Sequence, residues 1–160
     1  GGRGRGDGRQ RNGRSAKLLQ RRQFWSQQLC TPEWMTEVPP DLNGKESPAG
    51  QGWYVLARPE GKRVLVVAAH GQTTARDMSG VVSRRWASLL PGGSPATTSG
   101  AAGAGTASYS ILDCVYHELN RTYYVLDMMC WKGYSLYDCT ADFRFYWVRT
   151  KLAEEVGVAP

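Results

Sequence analysis

The sequence predicts an α+β domain of antiparallel β-sheets with flanking helices, on two observations. Apolar runs rich in β-branched and aromatic residues come in pairs separated by short turns. From Thr140 onward the spacing changes to that of a helix. A chain of 160 residues with 41% hydrophobic content is long and apolar enough to bury one core.

The elements follow in order. Residues 1–22, "GGRGRGDGRQRNGRSAKLLQRR", contain no aromatic or β-branched residue, so a disordered basic tail is expected over 1–23. Such a tail either contacts RNA or a transport receptor, or is a solvated linker. The body then occupies 24–160. "FWSQQLCTPEWMTEVPPDL" reads as an apolar arm or short helix leading into a Pro-Pro turn. "NGKESPAGQG", Asn43 to Gly52, reads as a loop. "WYVLAR" reads as a buried strand, and "KRVLVVAA" as its return across Pro59-Glu60-Gly61. "HGQTTARDMSG" reads as a further loop, and the low-complexity stretch 92–108 as a disordered surface excursion. "YSILDCVY" and "TYYVLDMMCW" form a hairpin across "HELNR"; Lys132-Gly133 turns the chain into "YSLYD", a short strand. "TADFRFYWVRTKLAEE" is the helix, with Thr140 as its N-cap and Phe143 one turn from Trp147.

Charge narrows the function classes. The formal net charge of +6 divides into +7 over residues 1–22, where Asp7 opposes eight basic residues, and −1 over the rest. An anionic partner is therefore expected to meet the tail first. Cys30, Cys114, Cys130 and Cys139 show no CxxC spacing and are expected as reduced thiols of a cytosolic or nuclear protein. With only His70 and His117 to add, no metal or other cofactor is called for. His117-Glu118 lacks the second histidine of an HExxH site. No apolar run approaches the roughly 20 residues of a membrane span. Trp53, Trp86, Trp131 and Trp147 read as core aromatics, and Asp113 and Asp127 as acceptors that hold the fold.

Chemistry concentrates in "RPEGKR", Arg58 to Arg63. It resembles the K-x-D-G-x-R motif of covalent nucleotidyl transferases, the mRNA guanylyltransferases and polynucleotide ligases. Arg58 stands where the attacking lysine would be, and a guanidinium protonated at neutral pH is a poor nucleophile. "ILDC" is similar to the L-D-G-E strand of the same group, with Val115 at the glutamate position. The expectation is a nucleotide-binding fold without catalysis. A working transferase is the less favoured alternative.

"WMTEVPPDL", "GKRVLVVAAHGQT", "SLLPGG" and above all "ILDCVYHELNRTYYVLDMMCWKGYSLYDCTADFRFYW" resemble the snurportin family over roughly Gln28 to Gly157. The resemblance implies a guanylyltransferase/DNA-ligase-like fold that binds the 2,2,7-trimethylguanosine cap of U snRNAs without reacting. It also implies an adaptor that shuttles between cytoplasm and nucleus, importing snRNPs with importin beta and open to a nuclear export receptor.

The same resemblance assigns cap contacts. Trp34 matches a tryptophan of the base pocket, and Gly61, Lys62 and Arg63 match a "GKR" facing the cap phosphates. Pro32 stands at a serine contact, Arg58 at a cysteine and Met78 at a phosphate-binding lysine, a contact that is lost unless Arg76 reaches over. "RSAKLLQRRQ", Arg14 to Gln23, echoes one turn of the family's importin-beta-binding helix. The family's cap domain continues past the position of Pro160 to a second stacking tryptophan. The chain is therefore expected to be a fragment, with weak cap binding of its own. A cationic N7-methylated base stacks well on an indole face, so the assignments are chemically coherent.

Overall fold

The computed structural model describes residues 7–42, 52–98 and 108–156. A 20-residue helix, α1 (Asp7–Ser26), leads into an extended arm. Six strands follow: β1 (Lys62–Ala69), β2 (Gln72–Arg76), β3 (Val82–Trp86), β4 (Ser110–His117), β5 (Thr122–Trp131) and β6 (Tyr134–Ser135). A four-residue turn of helix, α2 (Pro95–Thr98), precedes β4, and α3 (Ala141–Lys151) follows β6, running into a π-helical turn at Leu152–Val156. The strands make one sheet in the order β3-β2-β1-β4-β5-β6, and every neighbouring pair is antiparallel. This is the α+β architecture expected of the sequence.

The sheet is covered on both faces. Val64, Val66, Ala68, Leu112, Cys114 and Met128 face Trp147, Val148 and Leu152 of α3 and its extension. Leu65, Val67, Ile111, Met129 and Cys130 face Trp25 at the end of α1 and Leu29 in the turn that follows it. Burial from both sides explains why β1 and β4 read as unbroken apolar runs instead of alternating ones. Two tight turns fix the register. His70-Gly71 joins β1 to β2, and Lys132-Gly133 joins β5 to β6, all four residues with positive φ. That pattern matches the twist of a two-residue hairpin.

Several expectations are corrected. "WYVLAR" is not a strand: residues 52–59 run alongside without joining a ladder, and Trp53 is 51% exposed instead of buried. The reason is geometric. A strand has two hydrogen-bonding edges, and both edges of β1 are taken, one by β2 and one by β4. "HGQTTARDMSG" is not simply a loop, because the His70-Gly71 turn folds Gln72–Arg76 back as β2, with Thr73 and Ala75 buried.

The basic tail is not without structure from Asp7 onward. Gly8, Asn12, Gly13 and Ser15 interrupt a segment otherwise rich in Arg, Gln, Lys, Leu and Ala, which favour helix. Trp25 and Leu29 then anchor its end on the sheet. The more glycine-rich residues 1–6 lie outside the described residues, as does most of the Asn43–Gly52 loop. Within 92–108, residues 92–94 are buried, not a surface excursion. The Gly92 carbonyl accepts from Gly71 N–H (3.0 Å) and the Gly93 carbonyl from Ser88 N–H (3.0 Å). Residues 99–107 lie outside the description. Thr140 does sit at the N-cap of α3, but its side chain makes no cap hydrogen bond.

Of the remaining tryptophans, Trp131 is buried at 1% exposure, while Trp86 and Trp147 pack half-buried against the core. The aspartates act as acceptors. Asp113 takes Arg63, and Asp127 takes Arg144 Nε (3.0 Å) and Met128 N–H (2.7 Å).

Two outcomes follow from this packing. Gly61 has φ +139° and lies so close to β4 that a Cβ there would overlap the Tyr116 carbonyl oxygen. Gly61→Ala is expected to lower stability by about 2 kcal/mol in urea titrations; an unmoved midpoint would disprove the close approach. Cys30 is exposed, whereas Cys114 and Cys130 are buried and burial pushes both thiols up. A thiol reagent should therefore modify Cys30 in the native protein and reach Cys114 and Cys130 only on unfolding. Equal rates at all three would contradict the core.

Candidate nucleic-acid interface

Gly61, Lys62, Arg63, Arg76 and Met78 lie at one end of the sheet, while Pro32 and Trp34 sit on the arm that follows α1. Gly61 permits β1 to start against the backbone of β4, and the strand's alternation then separates its first two charges. Lys62 is 80% exposed at its side chain and reaches only Glu118, 3.5 Å away. An ion pair this open contributes little and leaves the ammonium available to a phosphate. Arg63 turns to the opposite face. Its Nε and Nη2 donate to the two carboxylate oxygens of Asp113 at 3.0 and 2.5 Å, and this fork holds the guanidinium above its ordinary pKa. Lys62 is therefore the cation presented outward, and Arg63 mainly braces β1 to β4.

Arg58 lies in the exposed lead-in and donates from Nη2 to the Gly61 carbonyl at 3.3 Å, beside Lys62. Met78 is exposed in the turn between β2 and β3. Asp77 organises that turn by accepting from Ser79 N–H (2.9 Å) and Val81 N–H (3.0 Å). Arg76 does not reach over to the side of Met78 that adjoins Lys62. It lies opposite Leu65 in the β1–β2 ladder, hence on the α1 face and away from Lys62. Its Nη1 donates to the Gly80 carbonyl (2.9 Å), and its guanidinium stacks 4.9 Å from the Trp25 ring. Pro32 and Trp34 are exposed on the arm that follows α1. Trp34 is 97% exposed and takes part in none of the ring pairs among the described residues.

Sequence reading missed the surroundings of Lys62. A cleft of about 290 Å³ runs from Lys62 past Tyr116 and Tyr123 to Arg84 of β3. The Arg84 guanidinium lies 4.5 Å over the Tyr116 ring, Tyr116 and Tyr123 rings meet at 4.6 Å, and Trp86 stacks on Tyr123 at 5.0 Å and 17°. Asp77 and Glu118 also line the cleft, but the Lys62–Glu118 pair is exposed and weak, so a phosphate can compete for Lys62 beside the aromatic rings. The available signal was the alternation within "VSRRW", which puts Arg84 and Trp86 on one face of their strand; that Tyr123, separated from them by three strands in the sheet, shares that face was not readable from sequence. Among the described residues, no group of His, Cys, Asp and Glu is arranged to hold a metal ion, and no helix is long and apolar enough to cross a membrane.

Comparison with known protein families matches the chain over residues 28–160 to the family described as Snurportin1, m3G cap-binding domain. The matched segment contains all six strands, α3, Trp34, the Gly61-Lys62-Arg63 start of β1 and the Tyr116–Tyr123 cleft. It takes in far more than half of the chain, and its sheet supports an m3G cap-binding domain. The chain belongs to the snurportin cap-binding family.

Proposed function

We propose that this protein binds the 2,2,7-trimethylguanosine cap of U snRNAs without reacting with it, and serves as an adaptor for their nuclear import with importin beta. The observation that carries the reading is the family match together with an exposed Lys62, held only by a weak surface pair to Glu118, at the mouth of an aromatic cleft. Lys62 supplies charge toward the cap triphosphate. Trp34, unengaged on its arm, is free to close over the methylated base. Non-reaction follows from Arg58, whose guanidinium stays protonated and cannot form the covalent nucleotide link of a transferase. The adaptor role is supported by α1, a basic helix preceding the cap-binding domain. Shuttling between cytoplasm and nucleus, with an export receptor as a further partner, belongs to the same reading.

A second reading, weak cap binding by this chain, is favoured by one observation. Trp34 has no aromatic ring opposite it among the described residues, so stacking would be one-sided.

Tryptophan fluorescence distinguishes the two. Trimethylguanosine-capped dinucleotide should quench saturably, and the 7-monomethyl cap should bind more weakly. Trp34→Ala should cost about 1–3 kcal/mol of affinity, the worth of one stacked base. Absence of quenching by either cap would overturn the first reading. Covalent labelling of the chain by GTP would overturn the non-catalytic assignment.

Lys62→Gln should weaken trimethyl-cap binding roughly tenfold and flatten its log–log salt dependence by about 0.7, the value for one phosphate contact on a single strand. An unchanged salt slope would remove Lys62 from the phosphate site.

A further inference from the structure

A second basic site lies on the other face of the sheet, between α1 and the β2–β3 edge. Arg21 and Arg22 from α1, Arg76 from β2 and Arg85 from β3 line a cleft of about 280 Å³, with Gln72 and Thr74 on its floor. No carboxylate lines it; the nearest relation to an acid is the influence of Arg22 on Asp77. The cluster is built, not incidental. Arg76 is 7% exposed, and its buried Nε has no hydrogen-bond partner. Burial, followed by the charges of Arg21 and Arg85, depresses its guanidinium from the ordinary value. Arg76 Nη1 is held by Gly80, but an anion entering the cleft would meet its unpartnered Nε–H and offset the repulsion among the arginines. Gly80, with φ +78°, holds the arrangement together, since a Cβ there would overlap the Arg22 carbonyl oxygen.

The cleft opens into a larger cavity of about 580 Å³ that shares Arg21, Gln72, Thr74 and Arg76 and is walled by Trp25, Tyr109 and Tyr137, again without a carboxylate. Guanidinium forks beside aromatic walls suit phosphate and base together. An acidic peptide would use the forks but leave the aromatic cavity unfilled.

We propose that the arginine cleft binds the phosphodiester backbone of single-stranded RNA, with an unstacked base in the adjoining aromatic cavity. That this RNA is the segment following a cap rests on the cap-binding reading above; the cleft itself does not.

The test uses the full chain and an uncapped, fluorescently labelled decauridylate, with anisotropy followed over a range of salt. The double variant Arg21→Gln/Arg85→Gln alters two exposed side chains, and Arg14→Gln/Lys17→Gln removes the same charge from α1 outside the cleft. The cleft variant should bind about tenfold more weakly, and its log–log salt slope should flatten by about 1.4, two contacts at roughly 0.7 each. The control should lose less than about threefold. Equal losses in the two variants would overturn the site, leaving only diffuse attraction to a basic helix. So would failure of the wild-type chain to bind the oligonucleotide, or displacement of it by a glutamate decapeptide at equal concentration. Trimethylguanosine-capped dinucleotide, titrated in parallel, separates the two readings. Binding of the dinucleotide but not of decauridylate defeats the cleft alone. Binding of decauridylate but not of the dinucleotide supports the cleft and defeats the cap assignment.

Discussion

Strand β1 is hydrogen-bonded along both edges and buried on both faces, and the other elements take their places from it. With β2 on one side and β4 on the other, no edge is left for the segment before it, so residues 52–59 pass by as an exposed lead-in. Gly61 makes the start possible, because only a residue without a Cβ can approach the Tyr116 carbonyl so closely. The period of two along β1 then decides which charges serve which face. Lys62 goes to the aromatic cleft, and Arg63 goes to Asp113.

Charge on this protein is divided by how it is partnered. The Arg63–Asp113 and Arg144–Asp127 pairs are well shielded and directional, one joining β1 to β4 and the other joining α3 to β5. Removing one member of such a pair would strand the other in a poorly solvated place, so these arginines belong to the architecture. Lys62, Arg21 and Arg85 are exposed at the surface, without a shielded carboxylate partner. These three exposed cations lie on two faces of one sheet, and on the α1 face Arg21 and Arg85 flank Arg76, which the fold itself holds in place.

Helix α1 changes the meaning of the basic N-terminal region. Read as composition, it is a tail whose charge attracts anions at a distance. As a helix ending in Trp25 and packed through Leu29, it places Arg21 and Arg22 against Arg76 and Arg85. Attraction without direction becomes a cleft with a floor and walls. The cation–π contact between Arg76 and Trp25 joins the helix to the sheet at that point.

Much of this was legible in residues alone. The β4–β5 hairpin, the Lys132-Gly133 turn, α3 from Thr140 and the charge of the N-terminal region follow from local pattern, because apolar periodicity and turn chemistry act over a few residues. The family resemblance rested on a long contiguous motif that local reading preserves. Pairing choices were not legible. "WYVLAR" has the composition of a strand and is not one, since only the assembled sheet determines whether an edge is free. "QTTAR" has weak strand character and becomes β2 because the preceding turn carries it alongside β1. The grouping of Arg84, Tyr116, Tyr123 and Lys62, and that of Arg21, Arg22, Arg76 and Arg85, joins residues dozens of positions apart. Sequence by itself determined the strand and helix material, the turns and the sign of the charge, which depend on neighbours along the chain. Tertiary structure alone decided which strands pair and which cations converge, because register and facing are properties of strands already brought together.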